Sequence, residues 1–320
     1  MPRAAVISPA KREQTIKVVA GVLQNPAGDI LLAQRPRNKP MPGRWEFPGG
    51  KLFGGESPTE ALKRELREEL GVEVEQATPL IRLHHDYPEL SVDLDIFRVG
   101  KYRGTPRPLE GQPLAWMPIQ KLPDCDLLEA DRPIVAALSL PERCWVTPAP
   151  AENIDAWLQQ IDETIRNGVP MLQCRLPADV DRIGLGGAVR NICREQRVLF
   201  IWNGEATEAG LLDADGLHVS ARQLMALNAR PEFSGWIGAS CHSAAEVRHA
   251  NRLGLDYVFI GTVQPTSSHP DGPVLGWDGF ENLVATSNLP AYAIGGMTPG
   301  DVARVQSLSG QGIAGIRFLL

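Results

Sequence analysis

Three glutamates, Glu65, Glu68 and Glu69, stand close together in the string Arg64-Glu65-Leu66-Arg67-Glu68-Glu69. On a helix, positions i, i+3 and i+4 share a face, so this spacing gathers three carboxylates on one side. Leu62, Leu66 and Leu70 form an adjoining apolar stripe. Hard cations such as Mg²⁺ take carboxylate oxygens and share the phosphate oxygens of a substrate, and crowded carboxylates repel one another until a cation arrives. A charged run of this kind is more often a solvated helix face laced with Arg–Glu pairs. The preceding stretch PMPGRWEFPGGKLFGGE argues for chemistry instead. A helix needs no such loop for stability, whereas close contact with phosphate or metal requires glycine-rich backbone. The natural occupant is a metal-bound diphosphate.

The elements that must hold these residues are legible. In SPTEALKRELREELG, Ser57 is an N-cap, Pro58 suits the first helical position, Glu60 completes a capping box and Gly71 stops the helix. Residues 16–23 and the later GDILLAQR read as two strands around the turn Asn25-Pro26-Ala27-Gly28-Asp29, which has hairpin chemistry. LDIFRVGKY and PLAWMPI predict further strands, and a short helix is expected over 132–138. Several strands with few helices predict an α+β domain over residues 16–140.

The pattern changes at Pro141. From Cys144 onward eight short apolar runs, CWVTPAP, PMLQCRLP, RVLFIWN, GLHVSA, GWIGASC, DYVFIGTV, AYAIGG and GIAGIRF, are separated by helix-sized intervals. Eight strands so spaced favour an α/β, TIM-like (β/α)8 barrel over 144–320. The sequence given ends at Leu320, just after the eighth run. The last barrel helix is therefore expected to be missing, or replaced by the other domain or a partner.

Composition bounds the rest. At 320 residues the chain has room for two ordinary domains. Its 43% apolar and 22% charged residues fit a packed protein, and a net charge of −6 argues against stable nucleic-acid binding. No apolar run approaches membrane-span length and MPRAAVISPAKREQTIK lacks an apolar signal core, so a cytoplasmic location is expected. Cys125, Cys144, Cys174, Cys193 and Cys241 show no CxxC spacing, which predicts reduced and mostly buried thiols.

The run from Gly50 through Glu56 and Arg64-Glu65-Leu66-x-Glu68-Glu69-x-Gly71-Val72 is identified as the Nudix box of the Nudix hydrolases. Resemblance to the MutT branch covers about 125 residues, including WEFPGGK before the box and LEGQPLAWMPI after it. It implies a Nudix sandwich that attacks an internal phosphorus with water, releasing nucleoside monophosphate and pyrophosphate from a nucleoside triphosphate. By the resemblance, Glu65, Glu68 and Glu69 bind Mg²⁺, with Mn²⁺ as the alternative, and Glu65 or a neighbour orients or deprotonates the water. It also implies that the Gly49 carbonyl and Glu110 complete the metal site, that Arg64 orients the glutamates, and that Glu56 ties loop to helix. Arg35, Phe47 and Lys51 match substrate-binding positions. Phe47 has core packing as its equal alternative. Asp131 departs from the pattern, standing where an asparagine is common. An ionised carboxylate only accepts hydrogen bonds, whereas a protonated one recovers a donor.

Residues 144–320 resemble thiamine phosphate synthase and its relative TenI in QCR (173–175), ADGLHVS (214–220), GASCHS (238–243), GTVQPTSSHPD (261–271) and AIGG (293–296). The resemblance implies a phosphate site near Gly295 and Gly296, with Gln173 and Arg175 as further candidates for contact with a phosphorylated small ligand. His242 matches a proton-transferring histidine, with a hydrogen-bonded strand-end histidine as the blander reading, and His218 reads as structural. Four positions depart: Asn203-Gly204 replaces an Asn-Asp pair, Ala221-Arg222-Gln223 lacks an expected acidic ligand, and Pro177 and His269 replace lysines. Without both carboxylates the synthase reaction loses its metal, so a binding or regulatory barrel is expected. Three functions follow: hydrolysis of 8-oxo-dGTP and related triphosphates, hydrolysis of thiamine-related pyrophosphates, or nucleotide binding in a ligand sensor. The residues leave the oligomeric state open.

Overall fold

The computed structural model describes residues 15–87, 90–266 and 272–317. The amino-terminal unit is built from β1 (Thr15–Leu23), β2 (Ile30–Gln34), β3 (Trp45–Glu46), β4 (Gly49–Lys51), α1 (Pro58–Leu70), β5 (Glu73–Asp86), β6 (Ser91–Arg103), β7 (Leu114–Met117) and α2 (Arg132–Ser139). Four strands form a mixed sheet in the order β4-β1-β6-β5, with β1 parallel to β6, and β3-β2-β7 form a second, antiparallel sheet. Alternation along β1 explains the layering. Val19 and Leu23 join the cluster under α1, with Leu62, Leu66 and Leu70, whereas Ala20 and Val22 join the cluster under α2, with Ile134 and Ala137. Gly21 lets α1 come close, since a side chain there would press on Leu66.

The expected hairpin of β1 and β2 is corrected. Apart from a bridge between Gln24 and Ile30, the two strands part into different sheets, because β1 takes β4 and β6 as neighbours while β2 takes β3 and β7. The turn itself forms as expected: Asn25 Oδ1 accepts from the Ala27 and Asp29 N–H groups, and Gly28 has φ 92°.

The carboxyl-terminal unit is a closed barrel of eight parallel strands: β8 (Arg143–Val146), β9 (Met171–Cys174), β10 (Leu199–Asn203), β11 (Gly216–Val219), β12 (Trp236–Cys241), β13 (Tyr257–Gly261), β14 (Ala291–Ile294) and β15 (Gly312–Gly315). All eight apolar runs of the sequence become strands. Helices α3 (Ile154–Arg166), α4 (Arg182–Gln196), α5 (Ala206–Leu211), α6 (Ala221–Ala226), α7 (Ala244–Leu253), α8 (Gly276–Val284) and α9 (Val302–Ser307) connect them, and no helix follows β15 among the described residues. Inside the barrel pack Met171, Ile201, Tyr257, Phe259 and Tyr292.

The two units meet at the amino-terminal end of the barrel strands. Ala136 and Leu140, at the end of α2, belong to the barrel's interior cluster. Gln311 donates through Nε2 to the Ala137 and Leu140 carbonyls at 3.1 and 2.6 Å, and the Tyr292 hydroxyl donates to the Pro141 carbonyl at 2.6 Å. The His84 N–H donates to Asn288 Oδ1 at 2.8 Å. Four of the five cysteines are buried and all are free. No helix among the described residues is long and apolar enough to cross a membrane.

Candidate active site

Local sequence signals place α1 as expected. Ser57 Oγ accepts from the Glu60 N–H, the Glu60 carboxylate accepts from the Ser57 N–H, and Gly71 closes the helix with φ 68°. The loop before it is fastened by Arg64, which donates to Glu56 through Nε and Nη2 at 2.8 and 3.0 Å and to the Lys51 carbonyl at 3.1 Å. The same guanidinium reaches Glu65 at 2.8 Å and Glu68 at 3.3 Å. Arg64 thus orients two of the glutamates, and Glu56 ties loop to helix.

The glycine pair has a spatial reason. A side chain at Gly49 would overlap the Val19 carbonyl of β1, and one at Gly50 would overlap the Glu65 carboxyl. Backbone without Cβ atoms therefore runs between a strand and the acidic helix. Gly49 meets the site through its N–H, which donates to Glu69 Oε2 at 3.1 Å.

The three glutamates differ in environment. Glu68 is largely exposed, Glu65 is mostly covered, and Glu69 is only 8% exposed. Burial pushes the Glu69 carboxyl up to about 7, and neighbouring Glu110 adds to the rise while Lys39 and the Gly49 N–H oppose it. Glu65 and Glu68 pair with Arg64 while Glu69 turns to the Gly49 N–H, so among the described residues no three His, Cys, Asp or Glu side chains stand together as an ion would need. The donor set still fits a hard divalent cation. Oxygen ligands stand on one helix, and Glu69 is a buried acid whose charged form a cation would stabilise.

The loop over 107–112 brings Glu110 to this end. The Leu109 N–H and the Gln112 side chain both donate to the Glu69 carbonyl at 3.0 Å, and Glu110 Oε2 lies 3.7 Å from Lys39 Nζ.

The position matched to the base end by resemblance is Asp131. This side chain is 3% exposed, and its Oδ2 accepts from the Phe47 N–H at 3.3 Å. Burial, reinforced by the Glu46 charge, pushes its carboxyl up from 3.8 to about 7. Glu46 is raised as well, chiefly by burial, and pairs closely with Arg35. Arg35 is therefore held by Glu46 and by the Pro40 carbonyl, which accepts from its Nε at 2.7 Å. Phe47 follows the core-packing alternative: its ring is 3% exposed within the α2-side cluster, and its N–H donates to Asp131. Lys51 is exposed at the end of β4 and meets α1 only through its carbonyl. Sequence reasoning missed Glu46, Lys39 and Gln112, whose partners are distant in the chain.

In the barrel, Gln173, Arg175, His242, Gly295 and Gly296 all line one cavity of about 600 Å³ at the carboxyl ends of the strands. Nδ1 of His242 lies 2.6 Å from the Gly261 carbonyl, which only accepts, so this nitrogen carries the proton. His218 is wholly buried, bonded to Ser240 and Tyr257 and pulled down to about 3 by burial, which makes it structural. At Gly204 the expected metal carboxylate is missing and has no room: a side chain would overlap Glu208, Arg182 and Trp202, which are already bonded to one another. Ala221 lines the cavity, and Gln223 is spent on Ser220 and Glu205. His269 lies outside the described residues.

Fold and site together define a two-domain enzyme, a hydrolase with an acidic helix seated on a (β/α)8 barrel. Residues 15–138 match the NUDIX domain and residues 144–319 match the family described as thiamine monophosphate synthase. The chain belongs to the Nudix family through its amino-terminal part and to the thiamine monophosphate synthase family through the rest. It is 41% identical over 91 residues to an 8-oxo-dGTP diphosphatase of Proteus vulgaris, covering 28% of this chain and 81% of that protein. An 8-oxo-dGTP diphosphatase of Escherichia coli is 32% identical over 123 residues, 38% of this chain and 95% of the relative. A thiamine-phosphate synthase of Thermus thermophilus is 31% identical over 182 residues, 55% and 86% of the two chains. The amino-terminal domain is a Nudix pyrophosphohydrolase.

Proposed function

We propose that the amino-terminal domain hydrolyses oxidised purine nucleoside triphosphates, turning 8-oxo-dGTP into 8-oxo-dGMP and pyrophosphate. It does so with Mg²⁺, or Mn²⁺ in its place, as a cytoplasmic enzyme that cleans the nucleotide pool and so limits mutation. The observation that carries this reading is the two-ended site: Glu65, Glu68, Glu69 and Glu110 at one end and the buried Asp131, beside Glu46 and Arg35, at the other. The relatives named 8-oxo-dGTP diphosphatase support the substrate.

A divalent cation bound by the glutamates supplies charge neutralisation for the phosphates and acidifies the attacking water. The remaining work belongs to the chain. Arg64 sets Glu65 and Glu68, the Gly49 N–H sets Glu69, and a carboxylate of this trio takes the proton of the water as its oxygen bonds to an internal phosphorus and pyrophosphate departs. Asp131 in its neutral form both donates and accepts, which suits the O6 acceptor and N7–H donor of 8-oxoguanine. The net charge of −6 fits a free nucleotide better than a nucleic acid.

A second reading concerns the barrel, whose cavity has no carboxylate among its described lining residues. It binds a phosphorylated small ligand through Arg175 and the Gly295–Gly296 backbone, without synthase chemistry. Mg²⁺-dependent hydrolysis, followed as pyrophosphate from 8-oxo-dGTP and dGTP and as orthophosphate from thiamine diphosphate and compared as kcat/KM, tests the hydrolase, and calorimetric titration with thiamine phosphate tests the barrel. Preference for 8-oxo-dGTP is expected, and preference for thiamine diphosphate would reassign the hydrolase to the chemistry of the barrel's relatives.

A further inference from the structure

The segment between β2 and β3 is a closed turn. Arg35 and Gly43 pair across its neck, with the Arg35 N–H donating to the Arg44 carbonyl and the Gly43 N–H to the Arg35 carbonyl. Gln34 Nε2 donates to the Gly43 carbonyl at 2.8 Å, and the Lys39 N–H donates to the Pro36 carbonyl at 3.1 Å. A turn fixed at so many points presents its tip residue, Lys39, in a set place.

From that tip Lys39 Nζ lies 3.7 Å from Glu110 Oε2. Its field also opposes the burial-driven rise of the Glu69 and Glu46 carboxyls. Glu69 and Glu110 mark the metal end of the site, and Glu46, bonded to Arg35 beside Asp131, marks the base end. A nucleotide with its base at Asp131 and its phosphates at the glutamates must run its phosphate chain between these ends, past Lys39. The two arginines of this region are committed. Arg64 binds Glu56, Glu65 and Glu68, and Arg35 binds Glu46 and the Pro40 carbonyl. Lys39, by contrast, has one long ion pair with both partners about half exposed, a kind of pair that is weak and readily exchanged.

We propose that Lys39 is a substrate-binding residue of the hydrolase, which neutralises Glu110 in the empty site and passes to a non-bridging oxygen of the phosphate chain when metal and nucleotide bind. The inference rests on the metal-dependent hydrolase reading. It gives Lys39 opposite effects on two ligands. As a competing cation it opposes the metal, and as a phosphate contact it favours the nucleotide.

The test uses the full chain and binding rather than turnover: calorimetric titration with Mn²⁺ alone, then with α,β-methylene-dGTP in saturating Mn²⁺. Lys39→Met is expected to bind Mn²⁺ about 3-fold more tightly and the analogue roughly 10-fold more weakly, with Lys39→Arg restoring the analogue. If Lys39→Met leaves both affinities unchanged, the pair is mere surface decoration. If both weaken together, Lys39 only shapes the loop. Either result overturns the proposal. Glu69→Gln serves as the control: it should lose Mn²⁺ binding, and unaltered Mn²⁺ binding there would overturn the metal-site reading itself, independently of Lys39.

Discussion

Glu69 and Asp131 are both buried acids whose carboxyls lie near 7, and burial is the main cause at each. Their uses differ because their neighbours differ. Glu69 looks toward Glu110 and Lys39, so its charged form is the useful one once a cation is present. Glu69→Gln is expected to keep the fold, checked by circular dichroism, and to lower kcat by about 10²–10⁴-fold, the usual contribution of a positioned acid–base group. Asp131 sits against Glu46, so its neutral form is the useful one. Its folded value is raised, so the stability it contributes is full below about 3.8 and is lost as pH rises through about 7. Discrimination between 8-oxo-dGTP and dGTP should decline over the same rise, measured as the ratio of kcat/KM at pH 6 and pH 8. Asp131→Asn should flatten that profile. The same variant should match the wild type in Tm below about pH 3.8 and exceed it by a growing margin up to about pH 7, at roughly 2–4 °C per kcal/mol of relieved ionisation cost.

Elements decide how those side chains are presented. Helix α1 has its own start and stop signals, and its apolar stripe of Leu62, Leu66 and Leu70 is buried as the spacing requires. The glycine pair of β4 works at the same scale, because it lets a strand edge pass between β1 and the acidic face. Gly50→Ala places a methyl group against the Glu65 carboxyl. The expected outcome is a fall in kcat of about 10²-fold, the cost of a misplacement near 1 Å, with a much smaller change in Tm. An equal loss of folded protein and activity would show that Gly50 serves the sheet instead. The turn Asn25–Asp29 shows the limit of element-level reasoning. Its chemistry was right, yet it joins two sheets, since a turn specifies a reversal and not the partner of each strand.

At the scale of the molecule, the amino-terminal domain plugs the base of the barrel through Ala136 and Leu140, held by Gln311, while the cavity with His242 opens at the far ends of the strands. The two sites therefore sit at opposite ends of the barrel. His242→Ala is expected to leave hydrolysis of 8-oxo-dGTP within about twofold, as separated sites without shared partners act independently. A large fall in kcat/KM would show that the barrel conveys ligand occupancy to the hydrolase.

The sequence by itself determined what is local and periodic. The cap and stop of α1 and the order of eight barrel strands follow from spacing along the chain, and the resemblance of residues 144–320 pointed to Gln173, Arg175, His242, Gly295 and Gly296, which line one cavity. Only the tertiary structure decided what depends on distant neighbours. It set Phe47 in the core and brought Glu46 and Lys39 into a site their local strings do not announce. It also filled the space at Gly204 with Arg182 and Glu208. The physical reason is common to all of these: burial and long-range pairing set a side chain's charge and direction, and neither is written in residues a few positions away.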